Sequence, residues 1–258
     1  MNNVRGASRG SAHGASGHRF EHFRLLLEDP TQTSFDDFAD IAEKLARADV
    51  PSSIAAAFRI GTLTALAKPQ GGVRGICAGD CLRRMVARTT VQQHSEAIES
   101  KTAPFEFALS TRAGADAAAL FIRTRLAEDQ DLVVMALDGI GAYDHVDREA
   151  MMTGLRETCP SMVPFCRMFY GEPSTLFWED EDGLSHEVRQ TQGGEQEDPW
   201  MPSLFSMAMH PGLERAAPAL EDGEAWEDCN GTDDAQDETE PQCCLPVTAT
   251  NGLCNVNR

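Results

Sequence analysis

Apolar residues at 38, 41, 42 and 45 recur every three or four positions, and that spacing predicts a helix. Ser34 reads as its N-cap, Asp36 and Asp37 fill the first turn, and Pro51 ends it near Val50. A shorter helix is expected from Ile54 to Phe58. The period then changes. Thr62–Ala67 and Val73–Cys77 are β-compatible runs on either side of Lys68-Pro69-Gln70-Gly71-Gly72, which predicts a hairpin. Asp80 stands where it can cap another helix, whose apolar-leaning face carries Leu82, Met85, Val86 and Thr89, with the arginines largely off that face.

An Ala-rich helix is expected over Thr111–Glu128. Leu132–Leu137 is a continuous apolar run, the pattern of a strand covered on both faces. It ends abruptly on Asp138, and a Gly-rich turn leads to Tyr143 and Asp144. Asp147 should cap a helix over Arg148–Glu157, and Met162–Tyr170 should be helical too. Thr175–Trp178 and Leu184–Val188 flank an acidic turn and predict a second hairpin. Pro199–Met209 opens with Pro and reads as a helix, which Pro211-Gly212 should break or kink.

The two ends differ in character. Residues 1–17 are mostly Gly, Ser, Ala, Asn and Arg, and disorder is expected there. Residues 221–258 are acidic and lack apolar periodicity, so an acidic disordered tail is expected. No stretch approaches the 18 apolar residues of a membrane span, and the N-terminus lacks the hydrophobic core of a secretory signal. The eight Cys show no zinc-type pairing. Free thiols in a reducing, intracellular compartment are the expectation, with no secretion and no membrane partner.

Charge is unevenly spread. The net is −19, but residues 51–130 alone carry +3, whereas 131–220 carry −11. The total argues against a general polyanion binder. It leaves room for a local basic channel, and Arg59, Lys68, Arg74, Arg83, Arg84 and Arg88 form such a cluster, with Asp80 the acid between them.

Asp138 is the sharpest candidate for chemistry. A carboxylate at the carboxyl end of a buried strand lies where ligands collect in α/β sheets, and Asp is a hard oxygen ligand suited to Mg2+. An ordinary turn or helix cap is the competing reading. Asp138-Gly-Ile-Gly is neither a phosphoaspartate motif nor a dinucleotide fingerprint.

Five stretches occur in order: ALAKPQGGVRGI at 65–76, LRRMVARTTVQQ at 82–93, PFEFALSTRAG at 104–114, LDGIGAYDHV at 137–146 and GGEQEDPWMPSLFSMAMH at 193–210. Together they resemble the reverse transcriptase (RNA-directed DNA polymerase) domain of non-LTR retrotransposons, over about residues 60 to 215. The resemblance implies a mixed α/β (α+β) right-hand polymerase fold: fingers plus a partial palm, with the thumb absent. It implies a fingers-like 61–131 and a partial palm 132–220 that includes the 175–188 hairpin; around them composition and periodicity set a disordered 1–17, an N-terminal helical segment 18–60 and the tail 221–258.

The resemblance also assigns roles. Asp138 matches the metal-binding catalytic Asp and Tyr143 the aromatic that packs under the sugar. Asp144 matches an acid of structural kind. Arg74 and Lys68 match residues that hold the incoming triphosphate, where fixed cations suit phosphate oxygens. Gln196 would help to position the base pair. Arg83, Arg84 and Arg112 would face the template. The implied reaction is template-directed nucleotidyl transfer, with Mg2+ as cofactor and RNA or DNA template-primer and dNTPs as partners.

Three departures stand out. Glu106 replaces a family Gln, and Glu197 replaces a family Gly where backbone approaches the nucleotide. The aromatic-x-Asp-Asp of the third palm motif is missing: Asp233-Asp234 has no apolar strands beside it. A truncated or degenerate, inactive polymerase domain is therefore expected. The alternative is a non-enzymatic nucleic-acid-binding or interaction remnant of a retrotransposon polyprotein.

Overall fold

Local sequence explains where most elements begin. The Asp80 carboxylate accepts from the Leu82 N–H at 2.8 Å, and Asp147 from the Ala150 N–H at 2.7 Å, so each satisfies a first-turn donor of its helix. The computed structural model describes residues 2–7, 10–69, 71–109, 111–134, 139, 141–221 and 255–256. In chain order its helices are α1 (Asn2–Arg5), α2 (Phe20–Arg24), α3 (Thr33–Ala46), α4 (Ser52–Ala57), α5 (Cys81–Gln93), α6 (Ser95–Thr102), α7 (Gly114–Glu128), α8 (Ala142–His145), α9 (Arg148–Thr158), α10 (Val163–Tyr170) and α11 (Met201–Glu221). Its strands are β1 (Ile60–Ala67), β2 (Val73–Ala78), β3 (Val133–Val134), β4 (Ser174–Glu179), β5 (Ser185–Gln190) and β6 (Asn255–Val256). The architecture is mixed α and β. Among the described residues, no helix is long and apolar enough to cross a membrane.

The chain forms two units. One comprises Met1–Lys101 and Gly141–Ala208. Its four-stranded sheet has the order β2-β1-β4-β5. β1 and β2 are antiparallel, with Thr62 opposite Ala78 and Ala67 opposite Val73. β4 and β5 are antiparallel, and β1 and β4 run parallel, with Gly61 opposite Leu176. Cys77, Gly61 and Leu176 are buried neighbours across three strands. The rest of the core is helical. Cys81, Met85 and Val86 come from α5, Met151 and Leu155 from α9, Phe165 and Phe169 from α10, and Met201 and Leu204 from α11. These recur at three- and four-residue spacing, which lays one stripe of each helix inward.

The other unit comprises Thr102–Ile140 and Met209–Arg258. It holds α7 and the antiparallel pair β3·β6, with Val133 opposite Val256. His210 is buried here, with Glu214 one turn on at 3.2 Å and the Phe105 ring 5.8 Å away.

Several expectations need correction. The N-terminal stretch carries α1, buries Val4 and Ala7, and hydrogen-bonds Asn3 to Thr89 and Gln92 of α5. Small apolar residues fit against a helix without needing a long hydrophobic run. The cap of α3 is Gln32 rather than Ser34, whose N–H and hydroxyl both go to Asp29. The 174–190 hairpin pairs with β1, so strands from 61–131 and from 132–220 belong to one sheet. Val134 is 41% exposed, where a covered strand was expected. The remainder of that run, Asp138 included, lies outside the described residues, as does 222–254 of the tail. Finally, α11 continues through Pro211-Gly212 instead of breaking there.

Candidate functional site

A buried polar cluster inside the larger unit is built around Arg83. Its side chain is 1% exposed, on the first turn of α5. The guanidinium donates to Glu195 Oε1 and to Asp198 Oδ2, both at 2.7 Å. It also donates to the Phe58 carbonyl and the Tyr170 hydroxyl, both at 3.2 Å. The Phe169 ring covers it, 4.1 Å from Cζ to centroid. Tyr170 donates its own hydroxyl to Asp198 Oδ2 at 2.6 Å, and the other Asp198 oxygen takes the Trp200 N–H at 2.9 Å. Trp200, fully buried, ties back to Thr90 of α5 through its indole N–H at 2.9 Å.

Two carboxylates thus share one guanidinium out of water. Burial works against the Arg83 charge, but Glu195 and Asp198 more than offset it and hold the group well above its usual range. Glu195 is pushed up, chiefly by burial and partly against the pull of Arg83. Tyr170 is raised well above its usual value by burial and by the Asp198 charge. Gly79 completes the enclosure, because a Cβ there would stand 2.8 Å from Glu195 Oε2.

The loop that carries Glu195 and Asp198 is held at its start as well. Gly193 has φ +68°, and its N–H donates to the Val146 carbonyl at 3.0 Å; the Gly194 N–H donates to the Tyr143 carbonyl at 2.8 Å. Any side chain at 193 would run into the carbonyl oxygens of Tyr143 and Asp144. Arg148 reaches across from α9, donating to the carbonyls of Gly193 (2.8 Å), Glu172 (2.9 Å) and Gln190 (3.2 Å).

The residues singled out in the sequence fall into distinct places. Lys68 and Arg74 are exposed at the outer end of the β1–β2 hairpin, and Arg74 lies opposite Leu66. Gln196 is half-buried on the clamped loop. Tyr143 is half-buried in α8, its ring 5.3 Å from that of Phe205. Arg112 is exposed in the other unit. Asp138 lies outside the described residues.

The arginines of α5 depart most from expectation. Arg83 does not face outward; it is an internal counter-charge. Arg84 is largely covered too, donating to Glu197 Oε2 at 2.7 Å and to the Ala12 carbonyl at 3.0 Å. Glu197 is accordingly turned onto a cation. Glu195 escaped notice in the sequence. A helix with arginines among positions buried nearly all round needs acids from elsewhere, and Glu195 and Asp198, flanked by Gly-Gly and Pro-Trp, were the available signal.

The described residues do not fit a metal. Glu195 and Asp198 are committed to Arg83, and among the described residues no group of three or more His, Cys, Asp or Glu side chains could hold a metal ion.

No family model matches the chain, and no curated protein matches it. Among solved structures, an apo telomerase from Candida tropicalis truncated from its C-terminal domain is similar over 63% of this chain and 40% of that one, at 14% identity and a TM-score of 0.44. A telomerase from Candida albicans in complex with a fragment of telomeric RNA is similar over 67% and 36% respectively, at 11% identity and a TM-score of 0.48. This chain spans two fifths or less of those proteins.

Proposed function

We propose that the chain is a reverse-transcriptase-like domain of the non-LTR retrotransposon kind, which binds a primer-template and does not extend it. The observation that carries this reading is convergence. Three of the five ordered stretches, separated by up to 115 residues, meet in one unit: Arg83 of the second contacts Asp198 of the fifth, and the fifth docks on carbonyls of the fourth through Gly193 and Gly194. Chance matches scattered along the chain have no reason to pack on one another at residues inside the matched stretches.

In this reading Lys68 and Arg74 meet phosphate, since both are exposed and fixed cations suit that ligand. Gln196 is presented by a loop whose two ends are clamped, which limits its freedom before any ligand arrives. The Tyr143 ring, seated on Phe205, offers an aromatic face to a sugar or base. The net charge of −19 confines binding to such local patches, and their cation–phosphate contacts make it fall as salt rises.

The absence of turnover rests on sequence features. Residues 193–258 contain no aromatic-x-Asp-Asp sequence, and Glu106 stands where the family has Gln. Glu197 weighs less than its position implies, because it faces Arg84. Primer extension by the full chain, with Mg2+ or Mn2+ and dNTPs, tests the claim. The expected result is binding with no added nucleotides. Incorporation that Asp138→Ala abolishes would overturn the inactivity, and no binding even at low salt would favour an interaction protein with no nucleic-acid role.

A further inference from the structure

We propose that the outer edge of β5 pairs with β5 of a second copy of this chain, antiparallel, about a two-fold axis through Val188. β5 is an edge strand of the four-stranded sheet, and residues 185–189 are all exposed. The strand SHEVRQ contains no Gly or Pro, the residues that commonly blunt an edge.

The hydrogen-bond phase can be read from its neighbours. The Thr175 N–H donates to the Arg59 carbonyl, on the β1 side of β4. Ser174, Leu176 and Trp178 therefore turn their backbone groups toward β5, where they engage Gln190, Val188 and His186. Ser185, Glu187 and Arg189 turn their N–H and C=O groups to the open edge.

Charge then selects one register. Centring the new pair on Glu187 sets Glu187 against Glu187, and centring it on Arg189 sets Arg189 against Arg189. Centring it on Val188 sets Glu187 against Arg189 of the other copy, twice by symmetry. In that register the outward backbone groups meet as hydrogen-bonded pairs, and the two Val188 side chains, 40% exposed here, meet as a close non-hydrogen-bonded pair. Among the described residues, neither Glu187 nor Arg189 has an ion-pair partner within the chain. An edge protected only against pairing does not need this self-complementary alternation; one sign of charge suffices.

The strand is also held ready. At one end Asp180 accepts from Asp182 N, Leu184 N and His186 Nε2, and Trp178 stacks on His186 with centroids 4.6 Å apart. At the other, Arg148 grips the Gln190 carbonyl. Ordering before association lowers its entropic cost. One strand pair is a small interface, so the dimer is weak and concentration-dependent.

Sedimentation velocity of the full chain from micromolar to near-millimolar concentration tests this. Near-physiological salt suits it, because the Debye length of about 8 Å leaves only nearest charges coupled. The expected result is a monomer–dimer equilibrium. Glu187→Arg, Arg189→Glu or Val188→Lys should each weaken it by at least about tenfold, with circular dichroism unchanged. Glu187→Arg combined with Arg189→Glu in one chain should restore it. A monomer at every concentration, a dimer indifferent to the single changes, or a double variant that stays monomeric would each overturn the proposal.

Discussion

Replacing Arg83 separates two accounts of the α5 arginines. An arginine that faces a template can be removed at little cost to folding, typically within about 0.5 kcal/mol for an exposed site. Arg83 is instead 1% exposed and has four acceptors within 3.2 Å. Arg83→Met keeps most of the stem volume and deletes the charge. Asp198 would keep the Tyr170 hydroxyl and Trp200 N–H, but Glu195 would lose its ion-pair partner at 2% exposure. Stranding a buried charge costs about 3–5 kcal/mol, a large share of the roughly 5–15 kcal/mol that holds a domain together. Urea unfolding followed by circular dichroism measures the loss. Adding Glu195→Gln removes the stranded charge and should recover about 1 kcal/mol or more of coupling. A loss below about 0.5 kcal/mol for Arg83→Met, or no coupling in the double variant, would refute the internal role.

Other outcomes follow from the same geometry. Lys68→Ala with Arg74→Ala should leave stability within about 0.5 kcal/mol while lowering the salt slope of primer-template binding by up to about one per phosphate contact. Gly193→Ala should cost at least about 1–2 kcal/mol, from the left-handed backbone alone, and more from the carbonyls it meets; thermal unfolding reads this out. Burial raises Glu195 above its usual 4.5, so its folded form takes a proton before its unfolded form does. Protonated Glu195 is therefore the form that the fold favours more. Relative to Glu195→Gln, the wild type should gain stability as pH falls through that raised native value, with the gain complete below 4.5. An unchanged difference in urea midpoint across that window contradicts the sign.

What could be read from the sequence was local. Periodicity gave α3, α5, α9 and α10, Pro-Gln-Gly-Gly gave the first hairpin, and Asp80 and Asp147 gave two helix starts, because each depends on residues within one turn of the chain. The sheet order was not readable. β1 pairs with β4 across more than 100 residues, and nothing in Thr175–Trp178 names its partner. The site was legible in composition and not in arrangement. Arg83 has the same neighbours in sequence whether it is solvated or internal; only the presence of Glu195 and Asp198 decides, and they lie 112 and 115 residues away. Continuity misled in α11, where core residues Met201, Leu204 and Met207 begin a helix that tolerates Pro211. The Tyr143 carbonyl receives the Gly194 N–H at the start of the clamped loop, and Gln196 lies on that loop; their functional roles are part of the proposal.

Fluorescence anisotropy with a labelled RNA–DNA primer-template, titrated with the full chain at low and then physiological salt, tests the central claim most directly. The account predicts binding at low salt that weakens steeply as salt rises and that Lys68→Ala with Arg74→Ala diminishes. No binding at low salt, or binding indifferent to both salt and those two residues, would contradict it.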